Sequence, residues 1–456
     1  MKLTSIFLCV LLSVPVWAQT NYIATSPLST TPGIYNTLVG YGVGTVLSSG
    51  SYNVFTGVNT GLSTTTGSFN TFQGAWAGYT NTTGDNNTFI GHSAGEANTT
   101  GSYNVFIGYN SGHKNKDGFW NVFGGVESGF SNTSGSFNTF LGHFSGASNS
   151  TGVENAFFGY NAGGGSSTGS YNTFLGTRTG GGNLANYNTF VGHLSGQSNT
   201  TGLENTFLGA YSGANNSLDI QNLYVGFKAG SSSIAGSKNT FLGHNAGINT
   251  LQGDNNIIIG QNAGTNIITG NDNVLMGYNS QAEDGLQNAI AIGANSLVAA
   301  SNALILGSGV NVGIGTSAPT NRLQIVSELP NTSGLTLSHL TSQSNPSQST
   351  DQFLTVDEKG EIVKARYVLH IQEPSQWSDH VFSPAYSLKS LPTVEAYIHQ
   401  NGHLPDIPSA EEVTSKGVDL VKLNTLLLQK IEELTLYSIE QDKRIKALER
   451  QLRKKR

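Results

Sequence analysis

The sequence predicts a mostly β fold: a parallel β-solenoid, or β-roll, followed by a small α-helical module and a C-terminal coiled-coil helix. Three observations carry this expectation. An Asn anchor returns every seventeen residues through most of the chain. Proline is absent from Gly33 to Ala318, while 54 of the 58 glycines precede Pro319. Beyond Asp419, apolar residues alternate at spacings of three and four. The expected organisation is a signal peptide over residues 1–18, an N-terminal cap over 19–33 and a repeat head over 34–310. A neck and linker with a β-hairpin (311–376), a helical module (377–418) and a coiled-coil helix with a basic end (419–456) complete it.

The opening segment, "MKLTSIFLCVLLSVPVWAQT", places Lys2 before an apolar run and ends in Val16-Trp17-Ala18. Small residues three and one before the cut mark a secretory leader, removed after Ala18. The run is too short to span a bilayer. Cys9 is the one cysteine, and Leu8 stands where a lipid-attachment site needs a small residue. The mature chain is therefore expected to be exported without disulfides.

Composition supports a repeat over disorder. Charged residues make up 11% and the net charge is −6. Disorder brings high charge and few aromatics, but this chain has 21 Phe and 17 Tyr. The anchor Asn falls at 36, 53, 70, 87, 104, 121, 138, 155, 172, 188, 205, 222, 239, 256 and 273, with one spacing of sixteen. An aromatic or aliphatic residue sits two after it (Phe55, Phe72, Phe89 and onward to Leu275), and glycines sit at +4, +8 and often +14. Each unit reads as one coil. Asn-x-Phe-x-Gly forms a short strand, and glycines turn the corners. Stacked coils bury a core that no single coil could bury. The Asn column is expected to form a hydrogen-bonded ladder. Missing proline fits, because every coil must donate to its neighbours. Sixteen steps of about 4.8 Å would make a rod about 75–80 Å tall.

Position +3 is also mostly apolar, as at Ile90, Ile107, Leu141, Phe158, Leu175 and Leu208. Neighbouring residues of a strand face opposite sides, so +2 fills the coil and +3 forms an outward apolar stripe. Such a stripe is larger than a monomer normally exposes. Packing against copies of the same chain is the expected remedy.

From Asn288 the period tightens: "NAIAIGANSLVAASNALILGSG" places Asn288 and Asn302 fourteen apart, with Gly293 and Gly307 five after them. This resembles the head repeats of trimeric autotransporter adhesins, which carry an Asn-Ser-Val-Ala-Ile-Gly-like motif per coil. The resemblance implies a left-handed parallel β-roll, three chains packed together and a head that binds host matrix. The barrel that anchors those adhesins has no counterpart in this sequence. "NVGIGTSAPTNRLQIV" (311–326) resembles the neck after such heads and in phage tail fibres. Residues 377–445, with Trp377-Ser378-Asp379, "HLPDIPSA" and "EELTLY", resemble a tail module of repeat-bearing exported proteins of Gram-negative bacteria.

In that module, Ser390 is expected to cap a helix reaching Gln400 and stopped by Gly402 and Pro405. Ser409 with Glu412 forms a capping box, and Gly417 ends the next turn. Asp419 caps the long helix. Leu420, Leu427, Ile431, Leu434, Ile445, Leu448 and Leu452 make a heptad seam with Asn424, Ser438 and Gln441 in it. Ile at a with Leu at d favours two strands in parallel coils, whereas the head resemblance favours three. A homotrimer is the expectation adopted.

No catalytic, cofactor or metal residues are expected. His92, His143, His193 and His244 follow the +4 glycine every third coil. Three coils span about 14 Å, too far for two of them to share an ion, so duplicated corner residues are expected. Asp85, Glu96, Glu127, Glu154 and Glu204 fall at varying offsets and make no acid–base pair. Glycine runs such as "YNAGGGSSTGS" lack the lysine of a nucleotide loop. Thr82-Thr83, Thr99-Thr100 and Thr200-Thr201 recur too patchily for an ice-binding face. Ser378-Asp379 faintly echoes the self-cleaving start of tailspike chaperone domains, but Lys389 lies ten residues on. The basic end follows the zipper, whereas DNA-binding zippers place it before, so nucleic acid is not an expected partner. The expected function is an exported, non-enzymatic trimeric fibre. It would act as an adhesin or surface-recognition protein toward a surface glycan or matrix ligand, secreted or on the surface of a Gram-negative bacterium. The alternative is a carbohydrate-active β-solenoid enzyme or tailspike.

Overall fold

The structure is a computed structural model that describes residues 33–329, 334–335, 352–356, 358, 361–366 and 377–455. The expected leader, the cap up to Pro32 and much of the linker lie outside the described residues. The chain divides into one unit up to Leu335 and a second from Thr336 onward.

The first unit is a parallel solenoid built on a 17-stranded sheet. Strands are three residues long, from Thr37–Val39 to Leu304–Leu306, and cover offsets +1 to +3. Consecutive coils pair in register, as Phe106 with Phe123 and Phe123 with Phe140. The +2 rings are fully buried and stack with centroids 4.6–5.0 Å apart. That separation matches the strand spacing, so one column of rings forms the core of the rod.

The anchor ladder is present. Asn121 N–H donates to Asn104 Oδ1 at 3.0 Å, and Asn104 Nδ2 donates to the Gly118 carbonyl at 2.8 Å. Each buried amide thereby satisfies its own coil and the next. Glycines serve close approach as well as dihedral need. Gly95 has φ +58°, and a Cβ there would lie 2.6 Å from the Phe89 ring. Gly101 has no such φ, but its Cβ would lie 2.4 Å from the Gly118 carbonyl of the next coil. The sixteen-residue coil loses its residue at a corner. Ala185 replaces glycine there and accepts from Asn172 Nδ2 at 2.8 Å, and the strands stay in register.

Asn288 and Asn302 do not continue the buried ladder. Val274 pairs with Ile290, so the ladder position falls on Ala289, whose N–H donates to Asn273 Oδ1 at 2.9 Å. Asn288 and Asn302 stand one residue earlier, exposed, with φ of 51° and 57°. The shorter coils shift the phase because alanine takes the buried site and asparagine suits the left-handed corner.

After the solenoid, Val312–Ile314 pairs in parallel with Leu323–Ile325. In the second unit, Gln352–Val356 and Ile362–Arg366 pair antiparallel. The expected hairpin is present, though Lys359 and Gly360 of its turn lie outside the described residues.

Helix α1 (Leu391–Asn401) starts after Ser390 and stops at Gly402, which has φ 76°. The Ser390 hydroxyl meets Thr393 Oγ1 at 2.8 Å instead of a backbone N–H. Helix α2 (Ala410–Lys416) carries the expected Ser409–Glu412 capping box. Helix α3 (Leu420–Lys454) begins with Lys422 N–H donating to Asp419 Oδ1 at 3.1 Å. A short 3-10 turn, Ser378–Phe382, packs on α3. The ten heptad positions from Leu420 to Leu452 are all exposed. Contact with the module instead uses another face, where Glu432 is buried. No helix among the described residues is long and apolar enough to cross a membrane.

Candidate functional site: the outward face of the solenoid

Residues at −1, +1, +3 and +5 point outward while 0 and +2 are buried, as at Tyr103, Val105, Ile107 and Tyr109 around Asn104 and Phe106. The +3 column is the expected apolar stripe: Ile107, Leu141, Leu175, Leu208, Leu242 and Met276 are 39–50% exposed.

A second column escaped the sequence reading. Tyr35, Tyr52, Phe69, Tyr103, Trp120, Phe137, Tyr171 and Tyr187 occupy −1 and are 42–70% exposed. Their rings stack coil on coil: Tyr52–Phe69 at 4.9 Å, Tyr103–Trp120 at 4.7 Å and Tyr171–Tyr187 at 4.9 Å. Every one of these residues has φ between 58° and 62°. The left-handed region costs a bulky side chain about 1–2 kcal/mol. Asn or Gly would fit more cheaply, and Asn86, Asn255, Asn288 and Asn302 do so in other coils. The aromatic residue just before the anchor ("SYN", "SFN", "FWN") was the available signal. Glu154 interrupts the stack, and a shallow depression there is lined by Phe137, Thr139, Glu154, Asn155 and Ala156.

The recurrent histidines belong to a third, mixed column at +5. His92 lies between Trp76 (5.7 Å) and Tyr109 (5.5 Å), His143 stacks on Tyr160 (5.7 Å) and His244 on Phe227 (5.2 Å). His193 meets Tyr211 edge-on at 5.3 Å. They act as ring surfaces. Among the described residues, no three His, Cys, Asp or Glu side chains converge as a metal site would require.

The repeat carboxylates are not brought together. Asp85 Oδ1 accepts from Ser68 N–H at 2.6 Å, Glu96 meets His113 at 3.5 Å, and Glu204 accepts from Gln221 at 2.9 Å. Two buried polar features were missed. A second Asn ladder runs at +11, with Asn98, Asn115 and Asn132 each donating to the previous Asn at 2.7–2.8 Å. Across two adjacent coils, Asp219 replaces the +14 glycine of the Asn205 coil, while Tyr224 replaces the core Phe and Ser233 the +11 Asn of the Asn222 coil. Asp219 Oδ2 accepts from Asn216 Nδ2 at 2.7 Å and from Ser233 Oγ, while Tyr224 Oη donates to Ser233 at 3.3 Å. Burial pushes the Asp219 carboxyl up to about 6 against these hydrogen bonds, with Asp254 adding to the rise.

In the second unit, Ser378 is buried and its hydroxyl has no partner among the described residues. Lys389 is held by Asp406 at 3.2 Å, so the lysine of a self-cleaving pair is engaged elsewhere. Asp379 lies beside Glu432, whose carboxyl is raised first by desolvation and then by Asp379. Lys430 bridges Asp406 and Glu433, each at 2.9 Å. Tyr386 Oη donates to Glu433. Asp406 ties the loop after α1 to α3, and Tyr386 ties the segment before α1 to it.

No family model matches the chain, and neither a curated protein nor a solved structure matches it.

Proposed function

We propose that this chain is an exported, non-enzymatic, trimeric fibre that recognises a surface, as an adhesin does, through its solenoid head. The observation that carries the reading is the outward face. It presents a column of exposed aliphatic side chains and, between Tyr35 and Tyr187, a column of aromatic rings held in a left-handed conformation. Aromatics kept against the local backbone preference point to a demand outside the coil itself. An apolar face of this extent is met by partner copies along the +3 stripe, and exposed rings suit contact with a surface glycan or matrix protein. The leader-like opening segment and the resemblance of 288–309 to adhesin heads support export and display by a Gram-negative cell. Three linked heads would strengthen weak single contacts by avidity.

Light scattering on the secreted mature protein is expected to give three times the single-chain mass. A single-chain mass at every concentration would overturn the trimer. A glycan panel separates the second class: binding without release of reducing ends is expected, and turnover would instead establish a carbohydrate-active enzyme.

A further inference from the structure

Beside α3 lies an apolar groove of about 480 Å³, walled by Leu391 and Val394 of α1 and by Leu404 and Pro405. Its floor contains Leu427, Ile431 and Leu434, three consecutive positions of the heptad seam. We propose that this groove receives α3 of a second copy, so that the tail module is a clamp on the neighbouring helix rather than a ligand-binding unit. The inference rests on the fibre reading and names the partner of its tail.

Three features commit the groove to that occupant. The seam extends to Leu452, well past the groove, and Ile431, Ile445 and Leu452 are 55–67% exposed. Only an element with the same heptad repeat and length covers both stretches, and α3 itself is such an element. Next, the flanking positions change along the helix. At the groove they are Lys430 and Tyr437 at g, both engaged within the chain, with the apolar Leu428 at e, while further on they are Asp442, Arg444 and Glu449. In parallel, in-register copies, Arg444 at g faces Glu449 at e of the neighbour, a complementary pair. The apolar Leu428 at e falls on the side where the neighbour's groove stands, at the height of Val394 and Leu404. Finally, the groove is preformed. Lys430 to Asp406 and Glu433, and Tyr437 Oη donating to the Lys389 carbonyl, fix the loop and α1 against α3. A preset wall costs little ordering entropy on assembly.

The mature chain is expected to lack cysteine, so thiol mapping is direct. Full-length chains carrying Leu404→Cys and chains carrying Leu428→Cys, with different tags, are co-expressed and oxidised. The expected product is a mixed disulfide between the two tags, at several times the yield from either variant alone. In parallel, Val394→Asp with Leu404→Asp is expected to weaken association at least tenfold by light scattering, with helical content retained. A wild-type chain that assembles, gives no mixed disulfide and tolerates the Asp pair overturns the clamp and leaves the fibre standing. A wild-type chain that stays single overturns both.

Discussion

At the scale of single residues, Asp219 shows what a repeat tolerates and at what cost. A carboxylate stands at the +14 offset that elsewhere holds glycine, and two side chains of the next coil change with it: Ser233 donates to it and Tyr224 donates to Ser233, while the ordinary Asn216 also donates to it. Its folded-state pKa of about 6 lies above the ordinary 3.8. The folded coil therefore binds the proton more tightly than the unfolded chain. The associated stability is complete below about 3.8 and is lost as pH rises through about 6. Asp219→Asn is expected to remove this slope and to stabilise the solenoid at pH 7. The gain is on the order of 1–2 kcal/mol after discounting for solvent screening. Urea midpoints across pH 3.5–7.5 measure it, and an unchanged slope would place the titration elsewhere. The core Phe column and the outward +3 stripe were legible because identical residues recur at one offset. Asp219 was not legible, since a single departure from the repeat carries no period. The −1 rings were overlooked for a different reason: nothing in local preference leads one to expect Tyr, Phe or Trp at φ near 60°.

Among elements, the helices were the most legible, because caps are local chemistry. Ser409 with Glu412 and Asp419 with Lys422 sit where their spacing placed them. The Asn288 coil carries a local mark of its shifted phase, glycine five instead of four after Asn, but the alanine that takes the ladder position shows only in the pairing of Val274 with Ile290. The attachment of the module to α3 was also hidden. Lys430 meets a carboxylate from a loop 24 residues away. Its ammonium group loses solvation at this site, but Asp406 and Glu433 outweigh that and hold its pKa above the usual lysine value. Lys430→Met would leave Glu433 nearly buried without its cation, while Asp406 keeps Lys389 at 3.2 Å. Removing one partner of a buried pair costs about 3–5 kcal/mol, and the loss here is expected at or below the lower end because the Asp406 arm is half exposed. Hydrogen exchange is expected to speed up in α1 and the 404–408 loop, while the distal half of α3 keeps its rates. Equal loss along all of α3 would show that the network does not localise to the module.

For the molecule as a whole, the solenoid implies a rule about length. Each coil touches only its two neighbours, and between Asn87 and Gly152 it does so through the same ring, the same two Asn ladders and the same backbone pairing. Stability is then close to a sum over coils and interfaces. Excising one complete period, residues 121–137, joins Trp120 to Asn138 and restores every offset. Phe106 then stacks on Phe140 in place of Phe123, and Gly118 approaches Gly152 in place of Gly135. The shortened protein is expected to be secreted and to unfold cooperatively. Its rod should be about 4.8 Å shorter by small-angle scattering, with a thermal midpoint within a few degrees of the parent. Excising eight residues from the same segment is a control of smaller size and larger effect. It shifts the downstream coils out of phase at the junction, turning glycine sites onto ring columns and ladder amides onto the corner. Aggregation or loss of secretion is the expected result. Should the seventeen-residue deletion prove as damaging as the eight-residue one, the coils would not be interchangeable, and a nearest-neighbour account of this rod would be wrong.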